Sequence, residues 1–239
     1  MSQGAARESG LDTMAAALAA AARTVAAHIN GGATIWCVAP GLDDHARHLA
    51  VEFVHPASLG ARAVPAVALP TLPPVALVAS VRSAVRSGDV LITLGEGDAS
   101  VIEELGMRAP AWGVAHVHIG WMPAARFGSR PTLTVPLPND AGTDRFITRA
   151  YHLLWELVFL CPPASTRSDA ELTSACAVCA DEAALAEVEI AIDDDRAMVR
   201  TACGPVVVDV SLVGPVTRND LLLIHAGTAL RSLSPVGTS

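Results

Sequence analysis

The most constraining feature of this chain is an alternation. From residue 11 to residue 160, short apolar runs that read as strands take turns with stretches of helical periodicity. Leu11, Met14, Leu18, Ala22, Val25 and Ile29 recur at steps of three or four and form one apolar stripe of a helix, which Asn30-Gly31-Gly32 stops. Thr34 to Ala39 follows as a buried-strand pattern, and Pro40-Gly41 turns the chain into a helix over Asp43 to Val54. The alternation continues with an apolar run at Val64 to Leu69, a helix at Val75 to Arg86 and the β-branched-rich strand Val90 to Leu94. A helix at Val101 to Met107, strands at Ala111 to Ile119 and Thr132 to Val135, and a closing helix at Arg145 to Leu160 complete it. This spacing predicts an α/β fold, a doubly wound parallel sheet with helices on both faces.

The pattern then changes. Residues 161–174 hold two adjacent prolines and several small polar residues without periodicity, and read as a linker between a domain at 1–160 and a second at 175–239. In the second, Leu185 to Ile190, Ala197 to Thr201, Val206 to Leu212 and Leu221 to His225 are four short strands separated by tight polar turns, which predicts a small β-barrel.

Charge and cysteine content narrow the function classes. The net charge is −8 and every basic side chain is an isolated arginine, so no stripe tracks a phosphate backbone and nucleic acid is not expected as a partner. The Ala-rich stretch Met14 to Ile29 carries Arg23 and His28, reads as a soluble helix rather than a signal peptide, and no run approaches a membrane span; the expectation is a cytoplasmic protein. Five cysteines, an odd number, point to thiols used as ligands or nucleophiles rather than to a disulfide framework.

Asn219-Asp220-Leu221-Leu222-Leu223-Ile224-His225-Ala226-Gly227-Thr228-Ala229-Leu230, preceded by the strand Val208 to Val213, resembles the HypC/HupF family of hydrogenase formation chaperones. Those barrels carry a strand ending in a His-Ala-Gly or His-Val-Gly step, and the resemblance implies an OB-like barrel. It also implies an essential cysteine at the start of the domain. Here Cys176-Ala177-Val178-Cys179 offers two sulfurs for that role, without the neighbouring initiator Met and proline of the family. By this resemblance Cys176 or Cys179, with His225, would hold iron carrying cyanide and carbon monoxide in transit to a hydrogenase large subunit, with a HypD-like maturation protein as partner. A soft thiolate and an imidazole suit such iron. Two other readings stay open: His225 as a buried strand histidine, and a zinc site in which Cys203 and His225 complete the Cys-x-x-Cys.

In the N-terminal domain the helix with His48-Leu49-Ala50-Val51-Glu52, the strand Gly88 to Ile92 and the final helix with His152-Leu153-Leu154-Trp155-Glu156 resemble the sugar-isomerase (SIS) domain, the phosphoheptose isomerases in particular. The resemblance implies a metal site on His48, Glu52 and His152, with Asp144 where the family has a glutamine, a set suited to zinc or a similar divalent ion. Surface or helix-capping roles for these side chains are the other reading. The family's hydroxyl-rich phosphate loop is replaced by Leu94 to Ser100, in which only Ser100 offers a hydroxyl while Glu96 and Asp98 bring negative charge, so poor phosphosugar binding is expected. The leading expectation is a hydrogenase maturation chaperone rather than an enzyme, its degenerate SIS domain serving as a homo-oligomerising and docking platform. The alternative is a metal-dependent sugar-phosphate isomerase with an accessory barrel, and a zinc-stapled interaction module is a third possibility.

Overall fold

The computed structural model describes the backbone of residues 3–56, 62–95, 99–121, 132–137, 143–160 and 183–233, and the side chains of 12–56, 62–95, 100–121, 133–137, 146–160 and 183–233. The expected linker at 161–174 lies outside them. Two compact units result, Met1–Met107 with Ala115–Ser165, and Arg108–Val114 with Thr166–Ser239. No helix among the described residues is long and apolar enough to cross a membrane.

The first unit alternates helix and strand in the order α1 (Gln3–Asn30), β1 (Ile35–Val38), α2 (Asp43–Val54), β2 (Ala66–Leu69), α3 (Pro74–Ala84), β3 (Val90–Leu94), α4 (Ala99–Arg108), β4 (Ala115–Gly120), β5 (Thr132–Pro136) and α5 (Thr143–Leu160). All strands pair in parallel, in the sheet order β2-β1-β3-β4-β5. Val90, Ile92, Leu94, Val117, Ile119 and Val135 share one buried cluster with Val25 of α1, Leu49 and Phe53 of α2, and Tyr151 and Leu154 of α5. Side chains alternate along a strand, so Leu91 and Thr93 face the other way. The chain steps outward from β1 to β2 and then reverses past β1 to β3 and β4. With right-handed crossovers that reversal puts α3 and α4 on the sheet face opposite α2.

The expected strand over 111–119 begins only at Ala115; Ala111 and Trp112 are buried in a turn, and Gly113 at φ 71° breaks the extended run. The apolar run here marks burial, not strand.

In the second unit β6 (Ala184–Ala191), β7 (Arg196–Thr201), β8 (Gly204–Asp209), β9 (Leu221–His225) and β10 (Thr228–Ser232) close a barrel in the order β10-β8-β7-β6-β9. Ala186, Val188, Ala197, Val199, Val208, Leu222, Ile224 and Ala229 fill its interior at every second position. Small residues among them suit a narrow lumen. The barrel has five strands where the sequence pattern predicts four. The His225-Ala226-Gly227 step does not end the sheet: Ala226 (φ 47°) and Gly227 (φ 81°) make a two-residue reversal that leads into β10. The fifth strand closes the barrel by meeting β8 in parallel.

Candidate metal centre on helices α2 and α5

Helix α2 buries Ala46, Leu49, Ala50 and Phe53. That stripe leaves His48 and Glu52, four residues apart, together on the margin of the buried face. On α5, Ile147, Ala150, Tyr151, Leu154, Trp155 and Val158 are buried, and His152 flanks them. Where the two helices pack, His48 Nε2 lies 3.1 Å from Glu52 Oε1 and 3.4 Å from His152 Nε2, and His152 Nε2 lies 3.6 Å from Glu52 Oε1. Among the described residues these form the one group of three histidine, cysteine or carboxylate side chains whose donor atoms all lie within 4.8 Å of one another.

With metal–ligand bonds of ~2.0–2.1 Å, the donors of a tetrahedral zinc stand ~3.3 Å apart. The observed spacings of 3.1, 3.4 and 3.6 Å bracket that value, so the three atoms form one face of such a tetrahedron. Two imidazoles and a carboxylate are also a donor set that zinc accepts. The residues fit the ion.

Two contacts set this geometry from α5. Trp155 Nε1 donates to the backbone oxygen of Glu52 at 2.8 Å, pinning the last turn of α2. Tyr151 Oη lies 3.0 Å from His48 Nδ1, on the far side of the ring from the cluster. The rings of Tyr151 and His48 meet edge-on with centroids 5.6 Å apart. Burial pushes the Tyr151 hydroxyl above its ordinary value; a hydrogen bond from Thr148 works against this and the charge of Glu52 adds to it.

Of the remaining sequence-derived candidates with described side chains, Ser100, Cys203 and His225 are not in this group. Asp144 lies on α5, about two turns before His152, with its side chain outside the described atoms. Ser100 is exposed in the first turn of α4; Glu96 and Asp98, like Cys176 and Cys179, fall outside the described residues. His225 ends β9 half-buried, and Cys203 is exposed in the turn between β7 and β8. Cys37 is wholly buried, and desolvation pushes its thiol far above the ordinary range, which makes it a core residue and not a nucleophile.

No family model matches the chain, and no curated protein does. Solved structures do. A phosphoheptose isomerase from Francisella tularensis superposes with a TM-score of 0.47 and 16% identity, over 66% of this chain and 96% of that one. One from Neisseria gonorrhoeae gives 0.45 and 20%, over 64% and 89%. The sugar isomerase domain of an RpiR transcription factor from Sphaerobacter thermophilus gives 0.40 and 15%, over 60% and 77%. Values this low assign no activity to the chain.

Sequence reasoning missed one polar cluster. Thr93 Oγ1 on β3 lies 2.9 Å from both His116 Nε2 and His118 Nδ1 on β4, all three side chains buried. Desolvation lowers His116 to about 3, helped by the charge of His118, and lowers His118 to about 4 against a partly opposing hydrogen bond from its ring to the Thr93 backbone. Gly120 makes room for this arrangement, since a Cβ there would lie 2.5 Å from His118 Nε2 and closer still to the carbonyl of Gly95. The alternation His116-Val117-His118 within an apolar strand is the signal that marks it.

Proposed function

We propose that the α/β unit is a SIS-type module that works through one divalent ion of the zinc class held by His48, Glu52 and His152. We further propose that the reaction is a metal-dependent sugar-phosphate isomerisation, with the barrel as an accessory domain. The observation that carries this reading is the convergence of the three donor atoms at tetrahedral spacing from two helices. When bound there, a divalent ion supplies Lewis-acid polarisation of a substrate oxygen. The chain's own residues do the rest: Trp155 fixes the backbone of Glu52, and α5 holds His152 against α2. One local feature limits the substrate. Asp43 and Asp44 occupy the first turn of α2, and Asp43 Oδ1 accepts from both the backbone N–H and the hydroxyl of Thr71. A helix N-terminus that would otherwise favour an anion is thus already charged, so a phosphate is expected to be held elsewhere.

The test is elemental analysis and isomerase assay of the full chain with sedoheptulose 7-phosphate. The expected outcome is about one zinc per chain and zinc-dependent turnover that His152→Ala abolishes. Full occupancy without turnover on any phosphorylated ketose would refute the isomerase assignment and keep the metal site.

A second reading rests on the barrel. The barrel closes with five strands, and His225 stands at the end of β9, directly before the tight Ala226-Gly227 turn. In this reading the chain is a hydrogenase maturation factor in which Cys176 or Cys179, with His225, carries the iron centre between a HypD-like protein and the hydrogenase large subunit, and SIS-type pairing makes it a homo-oligomer. Its support is the sequence pattern from Asn219 to Leu230. A strain lacking the protein would then accumulate an iron-free large subunit, restored by wild type and by Cys203→Ser but not by the double Cys176→Ser, Cys179→Ser variant. Full complementation by the double variant would exclude it.

A further inference from the structure

A histidine that binds a metal through Nε2 carries its proton on Nδ1, and a protein acceptor for that N–H fixes both the tautomer and the orientation of the ring. Around His48 the acceptor position is filled by a hydroxyl. Tyr151 Oη stands 3.0 Å from Nδ1, while Nε2 faces Glu52 and His152 at 3.1 and 3.4 Å. The opposed placement of the two ring nitrogens divides the imidazole into a metal-facing edge and a tyrosine-facing edge.

We propose that Tyr151 is the positioning residue of this centre: its oxygen accepts the His48 Nδ1–H and thereby directs the Nε2 lone pair at the ion. This rests on the metal site proposed above and adds a residue to it. A hydroxyl suits the role better than a carboxylate or an amide because it serves both states of the site. Without metal, Nε2 carries the proton and donates to Glu52, and the Tyr151 O–H turns to donate to Nδ1. With metal, the proton stands on Nδ1 and the same oxygen accepts it. Thr148, one turn earlier on α5, hydrogen-bonds the Tyr151 hydroxyl, and a threonine hydroxyl both donates and accepts, so it serves the tyrosine O–H when that group turns away from His48. Tyr151 is itself fixed. Its ring is fully buried, and its neighbours Leu154 and Trp155 pack in the same cluster, so its oxygen is delivered to one place and not to a range of them.

The experiment compares Tyr151→Phe with wild type in the full-length protein, using Co2+ as the probe and its visible absorption as the readout of tetrahedral coordination. The variant keeps the buried ring and removes one oxygen. The expected result is Co2+ binding weakened about 10–100-fold, the usual cost of losing a partner that orients a ligating histidine, with a changed absorption band. In wild-type protein loaded with Zn2+, nitrogen-resolved NMR should show His48 with a slowly exchanging Nδ1–H. Should the variant fold poorly, that spectrum of the wild type decides alone: metal attached through Nδ1, or an Nδ1–H exchanging as in free imidazole, overturns the proposal. Co2+ bound by Tyr151→Phe with wild-type affinity and spectrum also overturns it while leaving the metal site intact. Failure of wild type to bind Co2+ or Zn2+ at all overturns the metal site, and this assignment with it.

Discussion

His116 and His118 are the side chains whose burial has the most direct thermodynamic consequence. Both have folded values lowered, to about 3 and about 4, against an ordinary value near 6.5. An unfolded chain therefore binds more protons than the folded one between roughly pH 4 and pH 6.5, and stability rises with pH across that window. The contribution is complete above the unfolded value and is lost as pH falls below it, by about 2 kcal/mol per ring between pH 6.5 and pH 5. Urea unfolding at pH 7 and pH 5 should show that loss, and His116→Gln, which keeps a hydrogen-bonding side chain and removes one titrating ring, should flatten the slope. Equal stability at the two pH values in wild type would mean that the rings are hydrated or protonated in the folded state. These histidines are legible in the sequence only as an alternation; that both turn toward Thr93 depends on the register of β3 on β4, which pairs Leu91 with His116 and Thr93 with His118. The metal-site histidines are easier to read because His48 and Glu52 share one turn of one helix, a local relation. Their meeting with His152 depends on a packing angle that no local pattern encodes, and Tyr151 is invisible as a second-layer group because a tyrosine in an apolar helix stripe reads as core.

At the scale of elements, the spans of α2 and β3 coincide with those expected from periodicity, since a proline–glycine turn and a glycine pair bound them sharply. The departures share a cause. Trp112 and β10 are both placed by partners distant in sequence. Glu187, in the middle of β6, has a side chain only 1% exposed, and it is balanced by Arg108 Nη1 at 2.6 Å and Trp112 Nε1 at 2.9 Å. Arg108 also donates to the backbone oxygen of Asn219 at 2.7 Å. A buried carboxylate requires such partners, which explains why Arg108–Val114 belongs to the compact unit that contains the barrel. Removing the cation alone should be severe: Arg108→Met is expected to cost about 3–5 kcal/mol, because it leaves an uncompensated buried charge. Adding Glu187→Gln to that variant should recover a large part of the loss, since a neutral amide still accepts from Trp112. Denaturant unfolding followed by tryptophan fluorescence measures both, and additive losses in the double variant would show that the pair does not act as an ion pair.

For the whole molecule, two metal readings make opposite assignments of where an ion stabilises the chain. In one, the ion binds His48, Glu52 and His152, three donors that the fold already holds at mutual distances of 3.1, 3.4 and 3.6 Å. In the other, zinc joins Cys203 and His225 to Cys176 and Cys179. A ligand that binds only the folded state stabilises it by the logarithm of its saturation, about 2.7 kcal/mol at a hundred times the dissociation constant. In a domain of this size that amounts to a rise of roughly 5–10 °C in the unfolding midpoint. The α2–α5 site predicts that this rise is abolished in His48→Ala and in His152→Ala and is unchanged in Cys203→Ser and His225→Ala. Its dependence on pH should follow the deprotonation that imidazole ligands require, with zinc losing its effect as the solution is acidified. The reverse pattern of variants, a rise that survives loss of both His48 and His152 and disappears with Cys203, would move the metal to the barrel and leave the three donors of α2 and α5 as an ordinary hydrogen-bonded surface group. Calorimetric scans of the four variants with and without a zinc excess distinguish these outcomes, because each substitution removes a donor from one candidate site and leaves the other complete.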